Sequence, residues 1–250
     1  MHLSLPRLLM AALASDAKGY MPTTGSLLGR KAMLENYRVI LASQSPRRKE
    51  IFDLMGLKGN YEVIVSGFPE NLDKAEFAGP GGPARYAETN AVCKAREVAS
   101  RNFVKRAKTE GEGAEVEAQP VVVVGSDTIV DLDGQILEKP KDAEEAKATL
   151  RRLSGRAHLV HSGVGIFTSD TGCEEPAVSF SETTFVRFGV LSEEEIANYV
   201  DSGEPMDKAG SYGIQGLGGQ FVDGIEGCYF NVMGFPMRRF SSAISALLST

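Results

Sequence analysis

The 250-residue chain has no tryptophan and only three cysteines, Cys93, Cys173 and Cys228, which lie far apart. Without a CxxC pair and with an odd count, neither a zinc ribbon nor a disulfide framework is expected, and a reducing compartment, the cytoplasm, is the simplest setting. No run of about 18 apolar residues exists, so no membrane-spanning helix is expected. A basic excess is also missing: 27 Lys and Arg stand against 33 Asp and Glu, a net charge of −6. That balance argues against a stable nucleic-acid partner but leaves room for a small basic pocket. Histidine is scarce too. His158 and His161 stand three apart on an expected strand, which sends them to opposite faces, away from a shared metal. The hydrophobic fraction, 42%, is nevertheless enough for a full core.

What is present reads as interleaved strands and helices. Val39 to Ala42 is a short buried strand feeding a helix through Ser43-Gln44-Ser45-Pro46, with Ser45 as N-cap, Pro46 at the first helical position and Gly56 closing. A long helix is expected over 84–107, packing through Ala87, Ala91, Ala95, Val98 and Ala99. Val121 to Val124 is a strand covered on both faces, and Asp133-Gly134 turns it into a hairpin. Capping boxes open helices at Asp142/Glu145 and Ser192/Glu195. Strands are expected over 158–167 and 183–188, at Phe221-Val222 and from Tyr229 to Val232, with a turn at Asp223-Gly224, before a closing helix over 236–248. The rhythm is not strictly βαβ, so the class is α/β with a mixed sheet. Residues 1–36 form an extension of unknown role before the main domain over 37–250, and Lys108 to Gln119 is an acidic, glycine-containing insertion with little to bury.

Four segments carry chemistry. Arg47, Arg48 and Lys49 place three cations in a first helical turn, where the macrodipole favours anions. A bound phosphate would reverse the sign of that mismatch; a solvated basic helix end is the plain alternative. Gly125-Ser126-Asp127-Thr128 puts a carboxylate at the end of the most apolar strand, where open α/β sheets place a ligand crevice. Asp127 could hold a divalent ion or take a proton from water, or form a structural Asx turn. Lys94 and Lys139 are further cations, and Glu70 a further carboxylate, each by default solvated. Finally, Gln215 follows Lys208 by seven residues in a glycine-dense stretch that lets backbone approach a ligand.

Together, Leu41-Ala42-Ser43-Gln44-Ser45-Pro46-Arg47-Arg48-Lys49-Glu50, Gly125-Ser126-Asp127-Thr128, Glu138-Lys139-Pro140 and Asp207-Lys208-Ala209-Gly210 resemble, in order, the signatures of the Maf family of nucleoside triphosphate pyrophosphatases. The resemblance implies an inosine-triphosphatase-like α/β fold, with an elongated bent mixed sheet and an active-site cleft between two lobes. It implies hydrolysis of the α–β phosphate bond with Mg²⁺ or Mn²⁺. Carried over, Ser43, Arg47, Arg48, Lys94, Lys139 and Lys208 would bind substrate phosphates, while Asp127 and Glu70 would be catalytic and hold the metal. Arg47, Thr128 and Gln215 match the branch that hydrolyses dTTP and UTP, implying a pyrimidine preference that extends to modified uridine triphosphates. A homodimer is implied by the resemblance alone.

Two other classes compete. One is a nucleotide-binding, non-catalytic regulator of cell division; the other is a nucleic-acid module using Arg47 and Arg48. The acidic balance weighs against the second.

Overall fold

Four consecutive valines start the strand around which everything else is arranged. In the computed structural model, which describes residues 25–29, 34–110 and 119–248, they open a 12-residue strand, β3 (Val121–Leu132), buried almost throughout. Preceding it are β1 (Arg38–Ala42), helix α1 (Pro46–Phe52), the short β2 (Glu62–Val63) and the long helix α2 (Gly82–Glu110). After it come β4 (Gln135–Leu137), α3 (Ala143–Leu153), β5 (Ala157–Thr168), β6 (Val178–Phe188), α4 (Glu193–Asp201), β7 (Val222–Glu226), α5 (Tyr229–Met233) and α6 (Met237–Leu247). The sheet runs β2-β1-β3-β5-β6-β7, with β4 added to β3. β1 pairs parallel with β2 and β3, and the remaining ladders are antiparallel, so the sheet is mixed as expected.

The pairing along one edge of β3 creates an opening. β1 covers Val121 to Gly125, and β4 covers Val130 to Leu132. Between them, Ser126 to Ile129 have no strand partner on that edge among the described residues. Two apolar cores lie on either side of this gap. One gathers β1 with Phe52, Phe235 and Phe240, whose rings pack 4.9–5.6 Å apart. The other gathers Val130, Leu150, Leu153, Val160 and Phe188. The sheet is continuous behind the opening through β5, so two lobes share one backbone.

Helix α2 lies unusually close to this sheet because glycine and alanine meet there. A Cβ on Gly125 would sit 2.3 Å from the Ala91 carbonyl oxygen, and one on Gly163 2.2 Å from that of Ala87. The small alanine face anticipated for this helix is therefore matched by glycines on β3 and β5 that local sequence does not explain.

Several expectations need correction. Tyr229 to Val232 is not a strand but part of α5, in which buried Asn231 donates to the Val160 carbonyl and to Thr184 Oγ1, both at 3.0 Å. Satisfying those groups outweighs the β-propensity of its aromatic and branched neighbours. Asp223-Gly224 is no turn; Gly224 pairs with Arg187 inside β7. Ser45 occupies the N-cap of α1 but makes no side-chain cap bond, whereas Ser192 and Glu195 form the full reciprocal box. At Asp142 the box is half formed, since Glu145 accepts instead from the Lys141 N–H.

The hairpin at Asp133-Gly134 is as expected, with both residues at positive φ. From the N-terminal stretch, Leu27 and Leu34 are buried, and the Leu27 N–H donates to Ser241 Oγ on α6. Residues 1–24 and most of the acidic insertion, 111–118, lie outside the described residues. Among the described residues no helix is long and apolar enough to cross a membrane.

Candidate active site

The gap in the β3 edge opens into a cavity of about 300 Å³. Its lining includes every residue carried over from the resemblance, Ser43, Arg47, Arg48, Glu70, Lys94, Asp127, Thr128, Lys139, Lys208 and Gln215, whereas Lys49, the third cation of the first helical turn, is exposed and is not among the lining residues. Residues up to 172 positions apart in the chain therefore share one cleft (Ser43 to Gln215).

At one end, the strand-to-helix turn from β1 to α1 presents hydroxyls and guanidinium groups. Arg48 is buried and fixed by three acceptors: its Nε donates to the Gly234 carbonyl, Nη1 to Ser43 Oγ and Nη2 to Thr128 Oγ1, at 3.0–3.1 Å. Five N–H groups minus these three leave one on each terminal nitrogen, a fork suited to an anion. Burial pushes its pKa below the ordinary arginine value, opposed by the charge of Asp127 and reinforced by that of Arg47. Ser43 Oγ accepts from both Arg48 Nη1 and the Ser45 N–H, which leaves its own proton to donate. The Thr128 hydroxyl is enclosed by protein groups: it accepts from Arg48 Nη2, while Gly234 O at 3.1 Å and Ser162 Oγ at 2.8 Å compete for its single proton, the Ser162 proton being shared with the Asn231 carbonyl.

Arg47 reaches across the cleft. Its Nη1 donates to Asp207 Oδ2 at 2.8 Å and its Nη2 to the Asp207 carbonyl at 3.1 Å. Lys208 Nζ donates to the other oxygen of the same carboxylate at 2.7 Å. Burial alone would raise the Asp207 carboxyl, but hydrogen bonds from Lys208 and Arg47 hold it below the usual carboxylate range. Lys139 lines the cavity with no ion pair or hydrogen bond among the described residues.

On the cavity wall formed by α2 and β3, Lys94 Nζ lies 2.8 Å from Glu70 Oε2 and 2.8 Å from Asp127 Oδ1. The close approach of α2 to Gly125 sets this contact. Asp127 Oδ2 has no partner among the described residues and remains an available proton acceptor. Glu70 has a left-handed backbone, φ +51°, a conformation that costs a non-glycine residue on the order of 1 kcal/mol and recurs at functional sites. His158 and His161 take no part. His158 Nε2 meets the Tyr212 hydroxyl and His161 Nδ1 meets Thr183 Oγ1, both at 2.9 Å in the interior.

A family model for Maf-like protein matches residues 38–247. The chain belongs to the Maf family. A human relative, "Probable bifunctional dTTP/UTP pyrophosphatase/methyltransferase protein", is 45% identical over 90% of this Maf chain, which spans 33% of that longer protein. Bacterial relatives named dTTP/UTP pyrophosphatase match nearly end to end. That of Clostridium perfringens strain 13 is 42% identical, covering 83% of this chain and 95% of its own, and that of Vibrio cholerae is 44% identical, covering 80% and 92%. Among solved structures, a HAM1 protein from Coxiella burnetii aligns with a TM-score of 0.35 at 14% identity, covering 85% of this chain and 98% of the other.

Two residues that the sequence offers only as the opening positions of motifs, Glu138 and Asp207, support the Maf site. Glu138 accepts from the Tyr86 hydroxyl at 2.8 Å and from Lys74 Nζ at 2.6 Å, fixing the strand end that carries Lys139. Asp207 was visible only as the first residue of a motif, and its grip on Arg47 spans 160 residues. Contacts of that range leave no local periodicity to read.

Proposed function

We propose that this chain hydrolyses the bond between the α and β phosphates of a nucleoside triphosphate, releasing the monophosphate and pyrophosphate, with dTTP and UTP preferred. The observation that carries this reading is the convergence of Arg47, Arg48, Lys94, Lys139 and Lys208 with Glu70 and Asp127 on one cavity. The names of its relatives support the same substrate class.

A polyanionic triphosphate needs fixed positive charge, most of all where charge accumulates on the leaving group. Arg48 and Ser43 offer two N–H groups and one O–H that are already aimed. Asp127, oriented by Lys94 through Oδ1, can accept a proton from water at Oδ2. That water attacks phosphorus, the P–O bond of the α–β bridge breaks, and the electron pair leaves with pyrophosphate. Such general-base help is typically worth about 10²–10⁴-fold.

The residues fit a divalent ion. Glu70 and Asp127 bring two hard ligands together, both bridged by the Lys94 ammonium at 2.8 Å, so a divalent ion would have to share or take over that bridging position. Among the described residues no group of three or more His, Cys, Asp or Glu forms a self-sufficient metal cage. Mg²⁺ and Mn²⁺ suit a site of one or two carboxylates completed by phosphate oxygens and water. When bound there, such an ion would neutralise phosphate charge. Three unpaired cysteines accord with a reducing cytoplasm.

For the base, Gln215 makes no hydrogen bond of its own among the described residues and lines the cavity, so its amide can donate and accept at once. Uracil and thymine present a carbonyl beside the N3 proton, a matching face. With its hydroxyl enclosed by Arg48, Gly234 and Ser162, Thr128 acts by holding Arg48. The test is hydrolysis across canonical and modified triphosphates, with products identified. Monophosphate and pyrophosphate, fastest from dTTP and UTP, are expected. A flat profile, a purine preference, or release of orthophosphate and diphosphate would overturn the reading.

A further inference from the structure

A lone glutamine on a glycine-rich loop can discriminate between bases only if the loop is held still. The loop from Gly213 to Gly218 is held by one side chain that does not line the cleft. Glu204 begins the turn after α4. Its Oε1 accepts from the Tyr199 hydroxyl at 2.9 Å and the Gly218 N–H at 3.2 Å, and its Oε2 accepts from the Leu217 N–H at 2.9 Å. The Tyr199 hydroxyl in turn accepts from the Gly213 N–H at 3.1 Å. Both ends of the loop are thus tied to the same tyrosine–carboxylate pair. Between them, the Gly216 N–H donates to the Gly213 carbonyl, closing a turn with Gln215 at its third position.

The fit is tight. A Cβ on Gly216 would lie 2.5 Å from both Glu204 carboxylate oxygens, and one on Gly218 2.7 Å from the Tyr199 hydroxyl. The glycines around Gln215 therefore serve to let the loop close over Glu204.

We propose that Glu204 is the positioning residue for base selectivity: its carboxylate, with Tyr199, fixes the loop that presents Gln215 to the nucleobase. The proposal deepens the pyrimidine reading above and rests on it. Selectivity depends on a pre-set amide, because an unpinned loop can adapt to the wrong base as readily as to the right one.

In Glu204→Gln, an NH₂ group must replace one carboxylate oxygen. With the remaining oxygen kept on Tyr199 and Gly218, the NH₂ faces the Leu217 N–H, donor against donor. Tyr199→Phe instead removes the link to Gly213 and one of the three bonds to the carboxylate. Steady-state kcat and KM would be measured for UTP and CTP in the wild type and both variants, alongside pyrophosphate inhibition and thermal melting. CTP is the probe because an amino group replaces the carbonyl at position 4.

The UTP-to-CTP ratio of kcat/KM is expected to fall at least about fivefold in Glu204→Gln, through a raised KM for UTP, and by less in Tyr199→Phe. Pyrophosphate inhibition, which reports the phosphate end of the cleft, should stay within about twofold. An unchanged ratio in Glu204→Gln would overturn the proposal, as would a parallel loss of pyrophosphate inhibition. Should Glu204→Gln fail to fold, an unchanged ratio in Tyr199→Phe overturns it alone. A wild type that does not discriminate UTP from CTP defeats the dTTP/UTP reading itself, a result distinct from a selective wild type matched by its variants.

Discussion

Lys94 Nζ and Asp127 Oδ1 meet at 2.8 Å on the cavity wall, joining the long helix to the central strand where the sheet edge opens. This ion pair orients one carboxylate oxygen and leaves the other free. Asp127→Asn keeps the shape but removes the proton acceptor. Pyrophosphate release should fall by about 10²–10⁴-fold while nucleotide affinity persists. Single-turnover rates and equilibrium binding measure the two halves of that statement. Full activity in the variant would remove Asp127 from the chemistry, and a wild type that binds nucleotide without turnover would favour the regulator instead.

The same geometry makes Gly125 structurally sensitive. Gly125→Ala places a methyl 2.3 Å from the Ala91 carbonyl, a backbone atom that cannot rotate away. Separating helix and strand should cost about 1–3 kcal/mol, or roughly 2–4 °C of melting temperature for each kcal/mol. Because Lys94 follows Ala91 by less than one turn, kcat should drop as well. An unshifted melting curve would show that α2 does not rest on this glycine.

Asp207 holds Arg47 and Lys208 where a phosphate would otherwise meet them. Removing its charge in Asp207→Asn should tighten pyrophosphate inhibition severalfold at low ionic strength, with the gain shrinking as salt rises. Weaker inhibition would mean instead that the carboxylate is needed to aim the two cations.

Burial pushes His158 from 6.5 down to about 3, opposed by the charge of Asp131. Its folded pKa lies below its unfolded value, so the unfolded chain binds the extra proton between those limits. The stability contributed by neutral His158 is complete above about pH 6.5 and lost as pH falls toward 3, by at most about 1.4 kcal/mol per pH unit. Ring NMR signals of His158 should show no protonation through pH 5 in the native protein. A midpoint near 6.5 would contradict the buried environment.

Much of this architecture was legible because it is local. Four valines, Pro46 at a helix start, Asp133-Gly134 and the Ser192/Glu195 box each act through neighbours a few residues away. The motifs around Ser43, Asp127 and Lys208 likewise named residues that the fold brings together. What escaped is tertiary. Gly125 and Gly163 have ordinary strand surroundings, and only the arrival of α2 explains them. Tyr229 to Val232 looks like a strand until Asn231 is seen to satisfy groups on β5 and β6. Thr128 is matched only as a specificity position, and that its hydroxyl faces Arg48, Gly234 and Ser162 is tertiary information.

Arg48 carries a consequence for how tightly the cleft can bind. A freely swinging arginine surrenders about 2 kcal/mol of rotamer entropy when it closes on a ligand. Gly234, Ser43 and Thr128 have already frozen this one as the chain folds. Its contribution to nucleotide affinity should therefore be chiefly enthalpic, and Arg48→Lys, which keeps the charge but not the fork, would lose at least one of the Arg48 bonds to Gly234, Ser43 and Thr128.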